Sequence, residues 1–344
     1  MRALFIFIIS FNSSMILVNF IKKIGIKFSL LDKPDAARKK NYSAKVRIGG
    51  LATFLSILIS IFIVSFLKIF KINYLDFELN YYLMISICFY FFIGFYEDIR
   101  GITAFKRLIM QIAFSTYIWK FGFRIETINL LGILNENLIF ELNNYTSLIF
   151  TILWVTGLVN AINWIDGLDG LASGLSIVIL LSISYVCFQN NFVSEGILSL
   201  IIAGSSLGFL MYNYYPSSIL MGDGGSYMLG SSIAFLSLIA TSHINQSSDL
   251  PFTSNIDLIV IYPILFLPLT DMTYVILKRL FTGSSIFSPD RNHFHYFLFD
   301  NGLGHEETVR IVISISILFA SIGLLFFTNN PLIIVIPLIN IIYQ

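Results

Sequence analysis

Long apolar runs alternate with short polar segments along the whole chain, and the runs have the length of membrane-crossing helices. A crossing helix needs roughly 20 mostly apolar residues. Runs of that kind lie at 3–21, 48–67, 79–96, 104–121, 147–163, 171–189, 194–213, 225–242, 256–277 and 309–327, with a shorter one at 331–343. The pattern predicts an all-α fold: a polytopic transmembrane helix bundle of ten or eleven spans, forming one integral membrane domain over 1–344. The first run follows Met1-Arg2 and reaches Lys22-Lys23 without a small-x-small cleavage site, so it is expected to be a span rather than a signal peptide. No internal repeat is evident, which weighs against transporter architectures built from two related halves.

Composition agrees with a lipid bilayer as solvent. The chain is 56% hydrophobic and only 12% charged, against about 25% charged in soluble domains. A net charge of +1 gives no pull toward nucleic acid. The 34 phenylalanines and 17 tyrosines read as lipid-facing surface rather than as a stacking platform. Cys88 and Cys187 lie inside apolar runs as packing residues, with no disulfide expected.

Lysine and arginine set the orientation, because they concentrate in cytoplasmic loops. The segment 22–47 carries Lys22, Lys23, Lys27, Lys33, Arg38, Lys39, Lys40, Lys45 and Arg47, and the loop after the ninth run carries Lys278, Arg279 and Arg291. The segment 122–146 sets Arg124 against Glu126, Glu136 and Glu141. Loops 22–47, 97–103, 164–170, 214–224 and 278–308 are therefore expected on the cytoplasmic side.

Four of those loops hold the residues that look like chemistry. Glu97-Asp98 closes the third run, where adjacent carboxylates bind a cation together or share a proton; alone, the pair also reads as a solvated helix stop beside Arg100. Asn160, Asn163, Asp166 and Asp169 recur at intervals of three in NAINWIDGLDGLASG, so on helical turns they would share a face. Two carboxamides and two carboxylates at a bilayer edge are costly unless they bind something. Asp223 sits in the turn GDGG, whose backbone N–H groups could face an anion. Arg291, His293 and His295 lie in PDRNHFH; the histidines alternate, and an arginine fork matches phosphate oxygens. Asp271, inside the ninth run, is either functional or hydrogen-bonded to a neighbouring helix. His243 and His305 read as surface residues. The set suits a phosphate-bearing substrate and a divalent metal.

In this order, DKP with RKK and R-x-GG (Asp32–Gly50), the acid pair, NAINWIDGLDGLASG, GDGGSYMLG and SPDRNHFH resemble the polyprenyl-phosphate N-acetylhexosamine-1-phosphate transferases of glycosyltransferase family 4. The resemblance runs from about Asp32 to Arg310 and is nearer to the branch that uses UDP-N-acetylglucosamine than to the branch that uses UDP-MurNAc-pentapeptide. It implies a multi-pass protein of the bacterial cytoplasmic membrane, with the active site facing the cytoplasm. The implied reaction transfers a sugar 1-phosphate from a UDP-sugar to undecaprenyl phosphate, releases UMP and starts a cell-envelope glycan such as an O-antigen. Magnesium is the implied cofactor, with manganese as its alternative, and a homodimer is admitted.

Carried over by position, Asp223 resembles the metal ligand, and Glu97, Asp98, Asp166 and Asp169 form the catalytic set. Asp98 would deprotonate or position the lipid phosphate. Asn160, Asn163, Arg291, His293 and His295 would hold nucleotide, diphosphate or sugar, and Arg38, Lys39 and Arg47 would lie near the lipid phosphate. A one-step attack and a two-step route through a phospho-enzyme both stay open. This chain departs from the family at Glu97, usually aspartate, and at Tyr296, commonly a third histidine. It departs also at Asn41, Val46 and Leu220, where histidine, proline and phenylalanine are usual. A different UDP-sugar and a catalytically impaired relative with an assembly role are the alternatives these departures raise.

Overall fold

The computed structural model describes residues 2–32, 44–67, 77–130, 139–241, 254–285 and 290–328. Every one of the ten long apolar runs contains helix. The helices are α1 (Arg2–Lys27), α2 (Gly50–Phe66), α3 (Phe77–Arg100), α4 (Ala104–Lys120), α5 (Asn144–Ile165), α6 (Leu171–Gln189), α7 (Val193–Asn213), α8 (Gly222–Ala240), α9 (Leu258–Ile264), α10 (Phe266–Phe281), α11 (Phe294–Asp300) and α12 (His305–Thr328). Among the described residues, six helices are long and apolar enough to cross a membrane alone. The expected run 331–343 lies outside the described residues.

The ninth run is not one continuous helix. It divides into α9 and α10, bent by 79°. The cause is local: Pro268 has no N–H to donate to the carbonyl of Ile264, so the helical ladder is interrupted there. The multi-pass all-α architecture holds, with this broken element inside it.

α8 is the axis of the bundle. Every residue from Gly224 to Ala240 is buried, and α3, α5, α6 and α2 pack around it. The outer helices show apolar side chains instead, among them Ile16 and Phe20 of α1, Phe62 of α2 and Leu153 of α5, all exposed. Such surface is stable against hydrocarbon but not against water.

Two small sheets lie at the ends of helices. β1 (Leu31–Asp32) and β2 (Lys45–Val46) form an antiparallel pair between α1 and α2. At the other end of α5, β3 (Ile125–Asn129) pairs antiparallel with β4 (Ile139–Glu141) and parallel with β5 (Ser254–Asp257). The start of α5 is capped beside this second sheet by Asn143, whose Oδ1 accepts from the N–H groups of Tyr145 and Thr146, each at 3.0 Å.

Candidate active site

The polar loops converge at the end of the bundle where α3 and α5 finish and α2 and α8 begin. A short backbone ladder draws the basic loop there. Leu220 N donates to Val46 O at 2.8 Å, Gly49 N to Leu220 O at 2.9 Å, and Gly50 N to Met221 O at 2.7 Å. This seats Arg47 over the first turn of α8. Its Nη2 lies 2.6 Å from Asp223 Oδ2, and its Nε lies 2.9 Å from Asp98 Oδ1. Asn163 Nδ2 donates to Asp223 Oδ1 at 2.7 Å and to Ser226 Oγ at 2.9 Å. Asp98, Asn163, Asp223 and Arg47 thus form one connected cluster from four parts of the chain.

Asp98 also receives two backbone donors. Asp223 N donates to its Oδ1 at 2.9 Å and Gly224 N to its Oδ2 at 3.0 Å. Its neighbour Glu97 turns the other way, ion-paired with Arg107 of α4 and accepting from Tyr227 Oη at 3.0 Å. The acid pair therefore works as two separate carboxylates.

The expected shared face of Asn160, Asn163, Asp166 and Asp169 does not form. α5 ends at Ile165, so helical spacing stops before the carboxylates. Asn160 faces α4, donating to Gln111 Oε1 at 2.8 Å, while Asn163 faces α8. Asp169 is buried away from the cluster, where Lys45 Nζ at 2.8 Å and Ser217 N at 3.0 Å both reach its Oδ2. Burial would raise the Asp169 pKa, but the hydrogen bonds from Lys45 and Ser217 outweigh it and lower it. The Asp166 carboxylate accepts no hydrogen bond from the described residues. Desolvation, reinforced by Asp223, Asp98 and Asp169, pushes its pKa up to about 8.

The Lys45–Asp169 pair clamps three loops together, and its removal has a calculable cost. Lys45→Met leaves a buried carboxylate unpaired, which destabilises by about 3–5 kcal/mol. A melting curve of the purified protein at neutral pH reads this directly. The sign with pH follows from the lowered pKa. The pair's contribution is complete above the unfolded carboxyl value near pH 4 and is lost as pH falls through the lower folded value. Acidification through that window should therefore cost the wild type more melting temperature than Lys45→Met; equal losses would refute the assignment.

The histidine loop is stitched to α10. Arg279 Nε meets Asp290 Oδ2 at 2.8 Å. Against desolvation, this bond holds the Asp290 carboxyl down to about 2. Asp271 accepts from Phe294 N at 2.7 Å and pairs with His293 Nδ1 at 2.7 Å, so the intramembrane aspartate is an anchor for this loop. His293 and His295 are neighbours through the start of α11, not along an extended strand; their rings stack 5.5 Å apart. Burial pushes His295 down to about 3, so it is neutral at pH 7. Its Nε2 is buried with no hydrogen-bond partner among the described residues, and it abuts Gly167, where an added methyl would strike it and Tyr296 Oη. Arg291 turns outward to Asp300 and lies over the Tyr296 ring at 4.5 Å. His305, expected at the surface, is buried and stacked on Tyr215 at 4.3 Å. Arg38, Lys39, Asn41 and His243 lie outside the described residues.

Sequence reasoning passed over Lys45, Arg107 and Tyr227. Arg107 was visible as a cation close to the acid pair and Lys45 as part of the basic segment, but their partners stand elsewhere in the fold, on α3 and in the loop between α5 and α6. Val46, where the resemblance expects proline, packs its side chain against Gly25 of α1.

This arrangement has counterparts in known proteins. Residues 80–241 match the family described as Glycosyl transferase family 4. The chain is 30% identical over 321 residues to a probable undecaprenyl-phosphate N-acetylglucosaminyl 1-phosphate transferase of Bacillus subtilis, covering 93% of this chain and 83% of that one. The chain belongs to glycosyl transferase family 4. Within the family it is also 27% identical to an undecaprenyl-phosphate alpha-N-acetylglucosaminyl 1-phosphate transferase of Thermotoga maritima, over 92% of this chain and 87% of the relative. A phospho-N-acetylmuramoyl-pentapeptide-transferase of Clostridium botulinum is 29% identical over 60% of this chain and 63% of its own length. Family membership and the apolar spans together make this a multi-pass membrane protein.

Proposed function

We propose that this protein transfers an N-acetylhexosamine 1-phosphate, GlcNAc 1-phosphate first, from a UDP-sugar to undecaprenyl phosphate at the cytoplasmic face of a bacterial inner membrane. A phosphate oxygen of the lipid forms a bond to the sugar-bearing phosphorus, the bond to UMP breaks, and the lipid-linked product starts a cell-envelope glycan such as a lipopolysaccharide O-antigen. One observation carries the reading: Asp98, Asn163, Asp223 and Arg47 converge at one end of a bundle whose outer helices are lipid-facing. The Bacillus and Thermotoga relatives are named for N-acetylglucosaminyl 1-phosphate and undecaprenyl phosphate, which supports this choice of donor and acceptor.

Phosphoryl transfer asks for placement and charge neutralisation more than covalent work. The donor chemistry suits a hard cation, since Asp166 is an unpartnered carboxylate whose charge is opposed by three others. Asp223 and Asp166 would hold magnesium, which supplies neutralisation of the diphosphate. Among the described residues no three His, Cys, Asp or Glu side chains stand close enough to hold an ion together. The remaining ligands would therefore be water and substrate phosphate, which magnesium favours. Arg47 presents a planar fork for a phosphate, and Asn163 fixes Asp223. Neutral His295 offers Nε2 to a bound group. A cavity of about 660 Å³ beside α10 is walled by Phe266, Leu267, Phe294 and Phe297, with Lys278 and Arg291 set beside Asp271 and Asp300 in its lining; its apolar wall suits a prenyl chain.

The second reading is the same reaction with another UDP-sugar; the Clostridium relative favours UDP-MurNAc-pentapeptide within it. The test is UMP release by membranes containing the protein, supplied with undecaprenyl phosphate, magnesium and each of a panel of UDP-sugars. Release that requires both the lipid and the metal is expected, greatest with UDP-GlcNAc. Greater release with another sugar moves the assignment to that donor, and no release with any removes the enzymatic reading.

A further inference from the structure

The Asp98 carboxylate is the most heavily engaged group at the site. Its side chain is 1% exposed, and its two oxygens receive three donors. Two of these are the N–H groups of Asp223 and Gly224, in the first turn of α8. N–H groups there have no partner within their own helix. They also carry the positive end of the helix dipole, which a carboxylate stabilises. Among the described residues no cap side chain comes from Met221, which precedes α8. Asp98, on α3, meets that need from a helix more than a hundred residues away in sequence.

A second, independent feature builds the same contact. Gly94 stands one turn before Asp98 on α3, and a methyl at Gly94 would lie 2.3 Å from the carbonyl oxygen of Asp223. Gly222 has φ +75°, and a methyl there would lie 2.6 Å from Asp98 Oδ2 and 2.1 Å from the carbonyl oxygen of Arg47. Both positions are closed to any side chain, and both closures bring α3 onto the start of α8. The third donor, Arg47 Nε, joins Asp98 to the guanidinium that also holds Asp223.

We infer that Asp98 is a positioning residue: it caps α8 from α3 and so aims the Asp223 carboxylate at the cation. It acts on the reaction through Asp223 rather than by touching the lipid phosphate. Asp166, which has no hydrogen-bond donor among the described residues, is then the carboxylate left free to meet cation or substrate. The inference rests on the assignment of a divalent cation to Asp223.

The test is Mn²⁺ binding to the purified protein without substrates, read by electron paramagnetic resonance, beside the cation dependence of UMP release. Asp98→Asn removes the charge and turns one of the two acceptor oxygens into an NH₂ donor, which breaks one arm of the cap. It should weaken Mn²⁺ binding and raise the cation activation constant by about 10–100-fold, as loss of an outer-shell partner does. Its kcat at saturating cation should return most of the way to wild type. Gly94→Ala alters no carboxylate, yet it pushes α3 off α8 and should weaken Mn²⁺ binding in the same way; it carries the test if Asp98→Asn fails to fold. Unchanged Mn²⁺ binding in either folded variant, with kcat depressed at every cation concentration, overturns the inference and returns Asp98 to direct chemistry. A wild type that binds no Mn²⁺ defeats the cation assignment itself and the inference with it.

Discussion

Asp223→Asn should reduce UMP release to background while the protein still inserts and melts near the wild-type temperature. The substitution keeps the size of the side chain and its place in the first turn of α8. What it removes is the negative charge that faces Arg47 Nη2 at 2.6 Å. It also turns one of two acceptor oxygens into a donor between Arg47 and Asn163, both of which already donate. A cation would lose a charged ligand and meet a guanidinium with less to hold it. Removing one group that stabilises charge in a reaction centre costs about 10²–10³ in turnover, and a direct metal ligand should cost at least that. Stability should suffer less, because Arg47 retains Asp98 and α8 retains its two N–H bonds to the same carboxylate. Turnover within tenfold of wild type would remove Asp223 from the metal site.

The second large effect runs against intuition. Glu97→Asp installs the aspartate that the sequence resemblance implies at this position, yet in this chain it should lower kcat on the order of a hundredfold. Glu97 spans a gap between two helices, pairing with Arg107 on α4 and accepting from Tyr227 on α8. Arg107 also lies over the Tyr227 ring at 5.5 Å, so the three side chains form one unit. Losing a methylene draws the carboxylate back by about 1 Å, and errors of that size can cost about 10² in rate. The long arginine and the tyrosine suit the long acid. Steady-state kinetics on Glu97→Asp decides the matter: an unchanged or higher kcat would show that Glu97 is a handicap the chain tolerates.

The helices were legible because bilayer length and apolar composition leave a strong local mark. Each of the ten long runs contains helix, the ninth is broken in two, and among the described residues six helices, or seven with that broken pair, are long and apolar enough to cross. The signal for the break was present in Pro263 and Pro268, which punctuate an otherwise apolar run. The motif residues were legible too, since acids, amides and histidines are conspicuous among apolar neighbours. Their division of labour was not. Periodicity put Asn160, Asn163, Asp166 and Asp169 on one face, but the helix stops at Ile165; Asn163 and Asp166 stay beside Asp223, while Asn160 turns to Gln111 and Asp169 to Lys45. The pairings of Lys45 with Asp169, Arg107 with Glu97 and Asp98 with the start of α8 join helices and loops brought together only by the fold. No local pattern encodes them. His305 was misread because a lone histidine next to Glu306 and Glu307 looks solvated, and only the packing of Tyr215 reveals otherwise.

The parallel pairing of β3 with β5 sets an order of events during synthesis. β3 leaves the ribosome before α5, but its parallel partner follows α8. Four helices must enter the bilayer before that edge of β3 can close, and loop-closure entropy makes such distant pairings slow. Arg47 waits longer for Asp223, across the six helices α2 to α7, because Asp223 opens α8. The β3–β5 clasp and the Arg47–Asp223 ion pair therefore both mature late. A nascent chain stopped before α8 would hold most of its lipid-facing surface but lack Asp223, on which the candidate cluster converges.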